Sequence, residues 1–106
     1  MRALCALLAT AMASHSACAG DWRYCLAPSH SQHKIYMSPP FPATVSMADA
    51  ESQFGRLLSQ SGVRFDDVQC PRGEDQTAAM TMQDHAIVVN RQLGNEIVHL
   101  HWKPRG

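Results

Sequence analysis

No apolar run in this chain is long enough to cross a bilayer. The N-terminal one, Ala3 to Ala13, is broken only by Thr10 and has 11 residues, where a spanning helix needs about 20. Charge of one sign is missing as well. Nine Lys and Arg stand against nine Asp and Glu, with no basic stripe and no acidic tail. Such a balance gives no electrostatic reason to expect nucleic acid or an anionic membrane as partner. The signatures of common chemistry are absent too. There is no G-x-S-x-G, no H-E-x-x-H, no phosphate-cradling glycine loop and no C-x-x-C, so nothing marks a nucleophile elbow, a zinc protease helix, a nucleotide loop or a dithiol centre. The chain reads as non-enzymatic.

What is present begins at the N-terminus. Arg2 gives a positive start, Ala3–Ala13 an apolar core, and Ala17-Cys18-Ala19 a small-residue cleavage pattern. Together these read as a secretory signal peptide over 1–19. A buried N-terminal helix is the alternative. A lipoprotein anchor at Cys18 is another, and His15 and Ser16 fit it poorly. Cleavage after Ala19 leaves 106 − 19 = 87 residues, enough for a single domain over 20–106. Mature Lys plus Arg is 9 − 1 = 8, because Arg2 departs, against nine acids. The expected location is the periplasm or the medium.

Export simplifies the cysteines. Cys5 and Cys18 leave with the signal, and Cys25 and Cys70 remain. An even pair in an oxidising compartment reads as one disulfide. Closing a loop of about 46 residues contributes roughly 4 kcal/mol in the chain-entropy picture, less any native strain. A pair of reactive thiols is the competing reading, and neither Cys has a neighbouring base in sequence to support it.

Alternation makes 22–26 a strand, with Trp22, Tyr24 and Leu26 on one side. Ala27 to His33 reads as a turn, and 34–38 as a second strand. Pro39, Pro40 and Pro42 cannot donate backbone N–H groups and end the ladder, leaving an extended segment anchored by Phe41. Ser46 followed by Asp49 opens a helix over 47–60, with Met47, Ala50, Phe54, Leu57 and Leu58 on one face and Gly62 past its end. A third strand is expected within 63–70. Ala79, Met82, Ala86, Val89 and Leu93 define the buried stripe of a second helix, closed by Gly94. The fourth strand, 97–103, turns Val98, Leu100 and Trp102 one way and Ile97, His99 and His101 the other. The order β-β-α-β-α-β predicts an α+β domain: a mixed four-stranded sheet covered on one face by two helices, with one disulfide.

Five histidines remain after position 19. His99 and His101 share a strand face, and His30 and His33 share the hairpin turn. Were these to converge, neutral imidazoles would hold copper or zinc. The bland alternative is a solvated sheet face. Met80 and Met82 offer soft sulfur ligands for Cu(I), but they point different ways on a helix, and Met82 reads as core. Asp66 and Asp67 are neighbours on a strand and so face apart, which denies them a shared acid–base site. Acid–base cleavage of RNA by paired histidines conflicts with the near-neutral charge. Tyr36, Pro39, Pro40 and Phe41 form a stiff proline-aromatic arm that could meet another envelope or extracellular protein at low entropic cost. Alternatively it is a connector that packs Phe41 over the core.

Tyr36-x-Ser38-Pro39-x-Phe41, Cys70-Pro71 and Trp102-x-Pro104 resemble the spaced landmarks of small exported proteobacterial proteins with no assigned activity. The resemblance implies a secreted α+β domain with a structural disulfide and carries over no catalytic residue. The expected function is that of an exported, non-enzymatic binding module, with periplasmic copper or zinc binding through the histidines as the alternative.

Overall fold

A computed structural model describes residues 20–106. The expected signal peptide, 1–19, lies outside the described residues. The described chain is α+β, with two helices and two three-stranded sheets. The expected single four-stranded sheet is thus replaced by two smaller ones, because the chain passes between sheets where continuous strands were expected.

The first crossing splits the first expected strand. Trp22–Arg23 (β1) is the centre of one sheet, flanked antiparallel by Phe41–Pro42 (β4) and Arg72–Gly73 (β5). Leu26–Ser29 (β2) is an edge of the other sheet, in the order β2, Lys34–Met37 (β3), Glu96–His99 (β6). Ala27, Pro28 and Ser29, expected in a turn, are therefore strand. Pro28 is tolerated there because an edge strand need not donate on its outer side. The turn itself is one 3-10 turn over His30–Gln32, closed by His33 in the left-handed region at φ 54°. Asp66 fastens it: the His30 N–H donates to Asp66 Oδ2 at 2.7 Å, and the Asp66 N–H donates to the Pro28 carbonyl at 2.8 Å. Most of 63–70, expected as a strand, is irregular. Only Gln69 pairs, in an isolated bridge with Leu26.

β2 and β3 are antiparallel, but β3 and β6 are parallel, with Met37 opposite His99. Adjacent residues of β3 therefore serve different layers. Tyr36 and Val98 join the core built around Phe54 and Leu58 of the first helix, Met47–Gln60 (α1). Met37 meets the second helix, Gln76–Gln92 (α2), through Gln83. The helices thus divide the two faces of this sheet instead of sharing one. Each is capped as its sequence demands: Ser46 Oγ accepts from the Asp49 N–H, and Asp75 Oδ1 from the Ala78 N–H. Gly62 and Gly94 follow the two ends with φ of 72° and 88°. Gly73 is needed for a different reason. A Cβ there would sit 2.5 Å from the Ala79 nitrogen, so β5 can touch the first turn of α2 only without a side chain.

Cys25 and Cys70 are bonded and buried. Cys25 lies between β1 and β2, and Cys70 between the Gln69 bridge and β5. The bridge therefore joins two of the points where the chain passes from one sheet to the other. Ser38, at the third crossing, is tied to the same place: its N–H donates to the Cys25 carbonyl and its Oγ accepts from the Cys25 N–H, both at 2.9 Å. Arg23 Nη1 donates to the Cys70 carbonyl at 3.1 Å, and Glu51 Oε2 accepts from the Cys70 N–H at 3.2 Å. Burial, then the neighbouring Arg72, holds the Arg23 guanidinium below its ordinary pKa, and Glu51 opposes them.

Candidate functional site

β3 and β6 run side by side and then part. Pro39 and Pro40 carry the chain from β3 into β4 of the other sheet, while the residues after β6 continue beside α1. Where they separate lies an open groove of about 470 Å³ lined by Trp22, Pro39–Pro42 and His101–Lys103. Clefts outside the carboxyl ends of parallel strands are common ligand positions because the diverging chains leave a crevice there. The floor is set by packing. Trp102 lies edge-on to Phe41, with ring centroids 6.0 Å apart, and tilted against Phe54 at 5.1 Å. Such aromatic contacts fix the indole beyond what area burial alone provides. Beyond Trp102 the chain is held to α1 by a reciprocal pair: Gln53 Nε2 donates to the Arg105 carbonyl and the Arg105 N–H donates to Gln53 Oε1, each at 2.8 Å.

The groove has a polar side as well. The Leu100 N–H donates to the Met37 carbonyl, so the backbone of Leu100 faces β3. Trp102 lies past the end of β6 at His99, and continued extension would turn its backbone groups to the same side, where β3 has already departed. Among the described residues the backbone of Trp102 makes no hydrogen bond. Among the described residues, His101 and Lys103 are the ionisable ones that line the groove, and no carboxylate lines it.

Phe41 is buried in the core, and with Pro39 and Pro40 it lines the cleft. Tyr36 does not. It is buried, and its hydroxyl donates to Gln32 Oε1 at 2.9 Å. Trp22, Trp102 and Lys103 were not singled out as binding residues by sequence reasoning. The available signal was that both tryptophans of the chain stand near the two ends of the described segment, 20–106.

The four candidate metal ligands do not converge. Parallel pairing of β3 with β6 sets the direction: the Glu96 N–H donates to the His33 carbonyl, so His33 lies at the start of β6. His99 is opposite Met37, four residues along, which is about 13 Å of strand. His30 is turned to Asp66, with Nδ1 2.9 Å from Oδ2. Among the described residues no three His, Cys, Asp or Glu side chains are grouped to hold a metal ion. His99 and His101 remain as an exposed pair, while Val98, Leu100 and Trp102 pack inward.

No protein-family model matches this chain, and neither a curated protein nor a solved structure matches it. Its function is therefore argued from its geometry.

Proposed function

We propose that the protein is an exported binding module whose groove receives an extended, acidic segment of another protein. The observation that carries this reading is the cleft of aromatic and proline side chains beside Trp102, whose backbone makes no hydrogen bond among the described residues. An extended segment entering there takes up the pairing that β3 abandons at Pro39, the strand-addition mode of peptide recognition. Its side chains meet Trp22, Pro40 and Trp102. The acidic preference follows from Lys103, the cation at a cleft that has no carboxylate among its described lining residues. The signal-like N-terminus and the buried disulfide support export, since sulfur bridges persist in oxidising compartments.

Both tryptophans of the chain line the groove, so indole emission reports its occupancy. Peptides selected by display on the purified protein should be extended and acidic, and their binding should shift that emission. Lys103→Glu should weaken them about fivefold, the effect of about 1 kcal/mol at an exposed rim charge, and should favour basic competitors. Selected peptides that bind without moving the emission, or that ignore Lys103→Glu, would place recognition elsewhere and end this reading.

A further inference from the structure

The other side of the same strand is also open. β6 has one strand neighbour, β3, and so forms an edge of its sheet. Glu96 and Leu100 direct their N–H groups at β3. By alternation Ile97, His99 and His101 direct theirs away from the sheet, at no strand among the described residues. His99 and His101 are both exposed, His101 two residues past the end of β6, where strand alternation continued would put both imidazoles on one face. Two imidazoles are half of a closed zinc site, which takes four ligands. The described residues do not supply the other half, because His30 and His33 sit at the far end of the strand and no third ligand among the described residues is grouped with the pair.

A second copy supplies it. Two identical edges pair antiparallel about a twofold axis, and residues whose backbone groups turn toward the partner oppose each other in hydrogen-bonded pairs that alternate with non-hydrogen-bonded ones. Odd positions therefore meet odd positions. In the register with Leu100 on the axis, His99 stands opposite His101 of the second copy, and His101 opposite its His99. No neighbouring register sets both histidines of each copy against histidines. Directly opposed residues have Cβ atoms about 4.5–5.5 Å apart, within reach of shared coordination by long side chains. On the inner face the same register sets Val98 against Trp102 of the second copy, which continues the apolar row.

We propose that His99 and His101 are half of a four-imidazole site for a divalent transition metal of the zinc and copper class, completed by antiparallel pairing of β6 with a second copy of this chain. Metal and backbone pairing depend on each other: two nitrogens per chain bind weakly alone, and a short edge strand pairs weakly alone. The inference does not rest on the groove reading, because it uses the outer edge of β6; His101, which also lines the groove, is the one residue the two share.

Chelator-treated protein is monomeric in sedimentation velocity on this proposal. Zinc(II) converts it to a dimer, and calorimetry gives one zinc per two chains. His99→Ala and His101→Ala each abolish both the zinc heat and the dimer. His30→Ala and His33→Ala retain them, and far-UV dichroism confirms that all four variants are folded. Zinc bound by a lone chain overturns the proposal. So does a dimer that survives chelator in the His99→Ala/His101→Ala protein, or the absence of zinc binding at micromolar concentration.

Discussion

α1 buries Ala50, Phe54 and Leu58 along one stripe, whereas the longer α2, of 17 residues against 14, buries only Ala79 and Gln83. The contrast is not one of apolar content. Met80, Met82, Val88 and Val89 are all available on α2, with Leu93 at its C-cap, and all are exposed, Leu93 to 71 %. What separates the helices is the surface each one meets. α1 covers aromatic and aliphatic side chains, Tyr36, Phe41 and Trp102 among them, and any snug apolar face serves it. α2 crosses the point where the chain leaves β3, between Met37 and Pro39. There the Ser38 carbonyl is buried and receives its hydrogen bond from Gln83 Nε2 at 2.7 Å, with Met37 Sδ 3.9 Å from the same nitrogen. A buried carbonyl without a partner is costly, so the helix turns its amide inward and leaves its methionines and valines outside. Hydrophobic periodicity reports which face could be buried, and a single polar obligation decides which face is.

The sharpest way to break this comparison is at its apolar end. Phe54→Ala should cost about 3–5 kcal/mol, the usual range for emptying an enclosed aromatic site, read as a drop in urea midpoint. Phe54 is fully buried and also supports Trp102, so the same variant should shift indole emission before any unfolding. A loss under about 1 kcal/mol would mean that α1 is held no more firmly by its face than α2 is, and the contrast would fall.

Gln83→Leu tests the polar end. It makes α2 more amphipathic and buries more apolar surface, so a purely hydrophobic account expects a gain. The hydrogen-bond account expects a loss of about 1–3 kcal/mol, because the Ser38 carbonyl is left buried and unpaired. Gln83→Glu should not restore stability, since a carboxylate offers Ser38 no donor. A more stable Gln83→Leu protein would sink the idea that this amide selects the face.

These two helices also show how far the sequence was readable. α1 was legible to its bounds, 47–60, because everything that defines it is local: Ser46 at the cap, the stripe of Ala50, Phe54 and Leu58, and Gly62 after the end. The Cys25–Cys70 bridge, the buried Phe41 anchor and the inward row of Val98, Leu100 and Trp102 were legible for similar reasons. α2 was legible as a helix but not in its orientation. The expected stripe of Ala79, Met82, Ala86, Val89 and Leu93 gives way to a buried line through Ala79 and Gln83, because the acceptor that rotates the helix lies on another segment. The sheets were misread for the same kind of reason. Parallel pairing of β3 with β6 joins segments about 60 residues apart, and no local pattern in Lys34–Met37 announces Glu96–His99. That one unread direction also hid the site. It parts His33 from His99, and it places His101–Lys103 beside Pro39–Pro42 to make the groove.

The smallest expected effect is the one that most sharpens the contrast. Val88→Ser and Leu93→Ser remove apolar side chains that are 52 % and 71 % exposed. If α2 is oriented by Gln83, and capped by Asp75, neither variant should change the unfolding free energy by more than about 0.5 kcal/mol. Helix propensity argues the same way for position 88: Val and Ser are similarly weak helix formers, so no secondary term hides a packing loss. Leu93 lies just past the last helical residue and is freer still. A loss beyond about 1 kcal/mol at either position would show that this flank is covered in solution. Because such cover would have to come from another molecule, the loss would also depend on protein concentration, and a dilution series of the unfolding midpoint would reveal it.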